Sequence, residues 1–232
     1  MSKFYLRKFG RAGDIDAINT DIYDVSTGSY EFPTVAFQTV CIAGSNDVVG
    51  SNGVHSIVIE GLNAAGAEIT EVATLTGATA KTLANSYYRV NRAYIKKTGA
   101  TLTNSWNIDI KHTGSATLAR ISANAGQTLQ AIYTMPAGVS GHVKHWYGEL
   151  NRETTQVTVQ GTIRFQTRNV GEGWRTQDAG AAGSALGIDR HFENPVFTIK
   201  PLTDIRLRVT AINTNNVVAY AGFEIEGHRD VR

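Results

Sequence analysis

The sequence predicts an all-β protein: antiparallel β-sandwich or jelly-roll units preceded by an extended N-terminal arm. Three observations carry that expectation. Apolar and polar residues alternate singly along many short runs, as strands do when one face is wet and the other lies in a core. Glycine is abundant (23 residues) while proline is scarce (4), a balance that suits many strands joined by tight turns. Finally, no segment sustains the 3.6-residue apolar period of a helix.

The first 34 residues stand apart. "MSKFYLRKFGRAG" is basic and aromatic, "DIDAINTDIYDVSTGSYE" is acidic, and neither holds a period of 2 or 3.6 for long. Six rings (Phe4, Tyr5, Phe9, Tyr23, Tyr30 and Phe32) argue against permanent disorder. The segment is therefore expected to pack as an arm, against its own domain or a neighbouring chain. Those six rings are candidate partner contacts, together with Trp174 further along.

Strand signals begin at Thr34. "TVAFQTVCI" is a β-rich run ended by "AGSNDVVGSNG"; "VHSIVIE" is closed by the turn "NAAG", and "EITEVATL" follows. "SYYRVNRAYIKK" alternates with Tyr88, Val90 and Tyr94 on one face. "SWNIDIKH" sets Trp106, Ile108 and Ile110 inward against Asn107, Asp109 and Lys111. After a break near residue 120, "TLQAIYTMP", "HVKHWYGEL" and "QVTVQGTIRFQ" make a second set, the last with Val157, Val159, Ile163 and Phe165 on one face. A glycine-rich loop, "NVGEGWRTQDAGAAGSALGIDRH", is expected next. "FENPVFTI", "DIRLRVTAI" (Ile205, Leu207, Val209 and Ala211 inward) and "VVAYAGFEIEG" close the chain. The organisation expected is an arm over 1–34, a β-sandwich unit over 35–120 and a second, jelly-roll-like unit over 121–232.

Little in this material can do chemistry. The net charge is only +2, with 22 basic and 20 acidic residues and no basic stripe, which excludes an ordinary nucleic-acid protein. No run approaches the roughly 18 apolar residues of a membrane helix, and no signal peptide follows the basic start. A soluble protein made in a reducing cytoplasm is expected. The single Cys41 permits no disulfide within the chain and reads as a buried thiol. "HVKH" brings His142 and His145 close, but a regular strand sends residues three apart to opposite faces, so they meet only if the stretch is helical or bulged. "GVSGH" and "GAAGSALG" lack the spacing of a nucleophile elbow, and no lysine follows the glycines as in a phosphate loop. Asp14, Asp16, Asn19 and Asp21 offer hard oxygens for calcium without the glycine and terminal glutamate of an EF-hand. The expectation is no enzyme, no cofactor and no metal.

"DIYDVSTGSYEFPTVA", from Asp21 to Ala36, resembles the amino-terminal segment of a recurrent family of tailed-bacteriophage virion structural proteins. The resemblance continues through "SIVIEGLNAAGAEITEVATLTGATA", "YYRVNRAYIKKTG", "YTMPAGVSGHV", "FENPVFTIKPLTDIRLRVTAI" and "AYAGFEIEG". It implies a non-enzymatic β-rich virion component, a capsid decoration or cement protein or a piece of neck or tail. Its partners would be other virion proteins, either the major capsid protein or neck and tail proteins. It implies a homo-oligomer, with a trimer favoured by local three-fold positions, located in the virion after synthesis in the host bacterial cytoplasm. Tyr23 departs from the family, which places a tryptophan at that step; a phenol buried in a partner would need a hydrogen bond. The alternative is a tail-fibre module that binds a host receptor or carbohydrate, with Trp146, Tyr147 and Trp174 as stacking rings.

Overall fold

The chain builds two β units, and the sequence of the first is discontinuous. The computed structural model describes residues 2–16, 18–25, 28–113, 116–152, 158–194 and 197–229. One unit comprises Met1–Ser29 with Gln130–Arg232, and the other Tyr30–Leu129. This division replaces the expected boundaries at residues 34 and 120: the amino-terminal segment belongs to the fold of the carboxy-terminal half.

Strands β1 (Ser2–Ile15) and β2 (Thr20–Asp21) open the first unit. The second unit contains β3 (Phe37–Ile42), β4 (Val54–Leu62), β5 (Glu68–Thr74), β6 (Lys81–Tyr87), β7 (Arg89–Thr98), β8 (Ile108–His112) and β9 (Thr117–Ile121). The chain then returns to the first unit through β10 (Ile132–Thr134), β11 (Val139–Asn151), β12 (Gln160–Asn169) and β13 (Arg175–Gly183). There β14 (Ile188–His191), β15 (Thr198–Ile199), β16 (Thr203–Ile212) and β17 (Val217–Arg229) complete it. Every pairing among these strands is antiparallel, and the described residues contain no helix. None is therefore long and apolar enough to cross a membrane.

In the first unit one sheet has the order β1-β17-β11-β14 with β15 also on β11; the other has the order β10-β16-β12-β13 with β2 also on β16. Inward residues of both sheets meet in one core. Trp146, Val143, Phe223 and Ile225 come from the first, and Ile163, Phe165, Ile205 and Leu207 from the second. The Trp146 indole, fully buried, donates from Nε1 to Asp178 Oδ2 on β13 at 2.9 Å. The second unit has a four-stranded sheet, β6-β3-β8-β9, and a three-stranded one, β5-β4-β7, around a core that includes Ile57, Ile59, Tyr87, Ile108 and Ile110.

The amino-terminal segment is not an arm. Twelve residue pairs join β1 to β17 in register, from Ser2 opposite Arg229 to Ile15 opposite Val217, with one irregularity after Ala12. Phe4, Leu6, Ala12 and Ile15 face the core; full burial of one side chain such as Ile15 contributes about 2 kcal/mol. Gly10 lies so close beneath its neighbours that a Cβ there would stand 2.3 Å from the Ala131 amide nitrogen and 2.6 Å from the Ile22 carbonyl oxygen. The alternation was hidden because Lys8, 6% exposed, takes an inward position while Tyr5 and Phe9 point out.

Other expected elements shift for local reasons. The glycine-rich loop is largely strand: β13 and β14 lie within it, and the missing Cβ of Gly180, which would come 2.8 Å from Ile188 Cδ1, makes room for that side chain. A bulge at Asn91 puts Val90 and Ala93 in the core and turns Tyr94 to the other face. A bulge at Thr210 likewise exposes Ala211 and directs Ile212 toward the core. Trp106 precedes β8 and is 60% exposed, not inward. Val157 lies outside the described residues.

Candidate functional site

The outward face of the β1-β17-β11-β14 sheet gathers four of the six histidines. In β11, a register shift between Val143 and His145 inserts an extra residue, so His142 and His145 both leave the core side on the same face. Neighbouring strands then set two cross-strand rows. One runs Tyr5, Glu226, His142, Thr198, and the next Arg7, Glu224, His145, His191.

In the first row Glu226 is the hub. Its carboxylate takes Lys3 Nζ at 2.9 Å and the Tyr5 hydroxyl at 3.3 Å, and His228 Nε2 lies 3.4 Å away. The hydrogen bond from Lys3 is the main reason that the Glu226 carboxyl titrates below the ordinary glutamate range. The His142 and His228 rings meet edge to face at 5.5 Å.

In the second row His145 and His191 lie opposite each other and stack, with ring centroids 3.9 Å apart and planes 7° from parallel. Asp189, two residues before His191 on the same face of β14, receives both. Its Oδ1 is 2.6 Å from His145 Nε2 and 3.2 Å from His191 Nε2. The hydrogen bond from His145 is the first cause holding the Asp189 carboxyl below its usual range. These three side chains can jointly offer two imidazole nitrogens and a carboxylate oxygen, all within 4.8 Å of one another. Spacing in the sequence hid the group, because only pairing of β14 with β11 brings His191 to His145.

The outward face of the other sheet is charged but buried. Asp21, on β2, accepts Arg208 through Nε at 2.5 Å and Nη2 at 2.9 Å, and Arg206 Nη1 lies 3.4 Å away. Arg206 Nε also donates to Gln166 Oε1 at 3.0 Å. Asp204 takes the Thr134 hydroxyl at 2.6 Å and Arg168 Nε at 3.0 Å. Trp174 stacks over this network, 3.8 Å from the Arg206 guanidinium carbon and 4.6 Å from that of Arg168. Burial lowers the Arg206 guanidinium to about 10 despite the nearby aspartate.

The expected partner contacts scatter. Tyr5 (77% exposed) and Phe9 (39%) are presented to solvent on β1. Phe4 packs against the core beneath the Arg229 guanidinium, at 5.1 Å. Tyr23 is buried in its own unit, bridged to Gln130. Tyr30 is buried in the second unit, edge to face with Phe32 at 4.6 Å, and Phe32 faces the Arg89 guanidinium at 5.4 Å. Trp174 is half-buried on its arginines rather than carried at the tip of a free loop. Nor do Trp146, Tyr147 and Trp174 make a sugar platform, since Trp146 is core. The acidic residues diverge too. Asp21 is committed to arginines, and Asp16 Oδ1 accepts the Asn216 amide at 2.7 Å. Cys41 is buried, and that burial pushes its thiol up to about 12.

No family model, curated protein or solved structure matches this chain.

Proposed function

We propose that the protein is a non-enzymatic structural component of a tailed-phage particle, a capsid decoration or cement protein, whose first unit is an eight-stranded jelly-roll sandwich. The strand order carries this reading. Taking the eight principal strands in chain order as B to I (β1, β10, β11, β12, β13, β14, β16, β17), the sheets run B-I-D-G and C-H-E-F. That is the order of a jelly roll, an architecture of viral capsid and lectin domains. The residues 30–129 then form a β unit inserted between B and C.

A fold does not choose a function by itself. Two further observations favour the structural role. The space between the sheets, where a ligand would sit, is filled by Trp146, Phe165 and Phe223, all fully buried. The rings expected to stack on sugars do not converge, which leaves the receptor-binding alternative without its surface. Contact with the major capsid protein or with neck and tail proteins would run through the outward face and free edge of β1, where Tyr5 and Phe9 are exposed between Lys3, Arg7 and Arg11. A homo-trimer remains the proposed assembly on symmetry grounds; the amino-terminal segment no longer argues for it, having found its partner within the chain.

Mass spectrometry of particles from the phage that encodes the chain tests this reading. A copy number comparable to the major capsid protein supports decoration, a far lower one supports neck or tail, and absence from the particles overturns the proposal.

A further inference from the structure

We propose that His145, Asp189 and His191 bind one divalent first-row transition metal ion of the zinc type, clamping the edge strand β14 onto β11. The inference stands apart from the particle reading and would hold whatever assembly the protein joins.

Geometry carries it. Two bonds of about 2.0–2.1 Å meeting at a tetrahedral angle set their donor atoms about 3.3 Å apart. The Asp189 oxygen lies 2.6 and 3.2 Å from the two Nε2 atoms, and all three donors fall within 4.8 Å. Closing to the required triangle takes rotation of the Asp189 and His191 side chains, both of which face solvent. The two rings stack 3.9 Å apart and 7° from parallel with each Nε2 near the same Asp189 oxygen, so the exposed His191 ring must tilt toward His145 for both lone pairs to meet one ion. Without an ion, each Nε2–H can donate to the carboxylate; with one, the imidazole takes its Nδ1–H form and the freed Nε2 lone pair becomes the ligand.

Donor chemistry selects the ion. Calcium and magnesium require shells of oxygens, whereas two imidazoles with one carboxylate suit zinc, nickel or cobalt. Three protein ligands leave at least one coordination position for water or a donor from another molecule. The structural consequence falls on β14, only four residues long and at the edge of its sheet. Two of its residues would be tied to β11 through the ion.

The test uses the full, untagged chain, stripped with a chelator and titrated with zinc chloride by calorimetry, with melting followed in parallel. One ion per chain and a raised melting temperature are expected. His191→Gln and Asp189→Asn, both exposed and read without zinc for an unchanged melt, should each weaken binding at least about tenfold. The double variant His142→Gln with His228→Gln should bind as the parent does. Absence of binding overturns the proposal. So does binding that survives both ligand substitutions, or that is lost only in the His142 and His228 variant, since either result moves the ion elsewhere.

Discussion

The two sheets of the first unit turn outward faces of similar composition toward different surroundings. On the β10-β16-β12-β13 sheet, Asp21 and Asp204 are fully buried and Arg206 is 6% exposed, with the Trp174 ring over Arg206. On the β1-β17-β11-β14 sheet, the Lys3 and Arg7 side chains are 63% and 67% exposed, and their pairs with Glu226 and Glu224 stand in water. Along the strands of both sheets, charged residues facing outward alternate with apolar ones facing the core. What separates them is cover. Removing solvent turns a weak ion pair into a network whose partners cannot be taken away singly, and leaving it in place keeps charges and imidazoles available to an ion or a neighbouring protein.

The largest expected effect comes from removing β1 and β2 together. Deleting residues 2–29 takes away β1, β2 and the core contributions of Ala12, Ile15 and Ile22. Calorimetry should then show the cooperative transition of the first unit lost. A truncated chain that melts as cooperatively as the parent and lacks only partner binding would restore the detachable arm.

Asp21→Ala isolates the buried network. It strands Arg206 and Arg208 in a site they share with Asp21, and should cost about 3–5 kcal/mol in urea denaturation. Glu224→Ala on the open face, where Arg7 is the partner at 3.4 Å, should cost less than about 1 kcal/mol. Equal losses would erase the contrast between the faces.

Trp174→Ala gives a smaller, directed loss. Removing the ring from Arg206 and Arg168 should cost about 2 kcal/mol, contrary to the unchanged stability expected of an exposed loop anchor. An unaltered melt would mean that the indole contributes nothing to holding the arginines.

The smallest effect is a titration. Lys3→Ala removes the chief cause of the low Glu226 carboxyl, so the NMR-detected midpoint should rise toward the ordinary value of about 4.3. Because that carboxyl is depressed in the folded state, its contribution to stability is present above the ordinary glutamate range and fades as pH falls through the folded value. A midpoint that does not move would show that Lys3 does not engage Glu226 in solution.

Where a strand was regular, its sequence placed its faces. Ile108 and Ile110 in β8, and Ile205, Leu207 and Val209 in β16, are buried as their alternation requires. The all-β class, the antiparallel habit and the buried Cys41 were legible for the same reason: period-2 patterning and turn residues are local properties of the chain. Tertiary structure alone decided where that regularity broke and which strands became neighbours. The bulges at Asn91, at Thr210 and beside His145 switch the face taken by the residues after them, yet leave no mark in composition, since the extra residue is of no special type. Partnership is set farther still. Lys3 and Glu226 lie 223 positions apart, and β1 is a strand because β17 presents it with a register, although Lys8 and Gly10 spoil its pattern. The shared face of His142 and His145 followed from a bulge, the meeting of His145 with His191 and Asp189 from the pairing of β14 with β11, and the place of Asp21 beside Arg208 from the pairing of β2 with β16. Each depends on contacts that only the folded chain makes, because side-chain alternation fixes which face a residue takes but not which strand lies beside it.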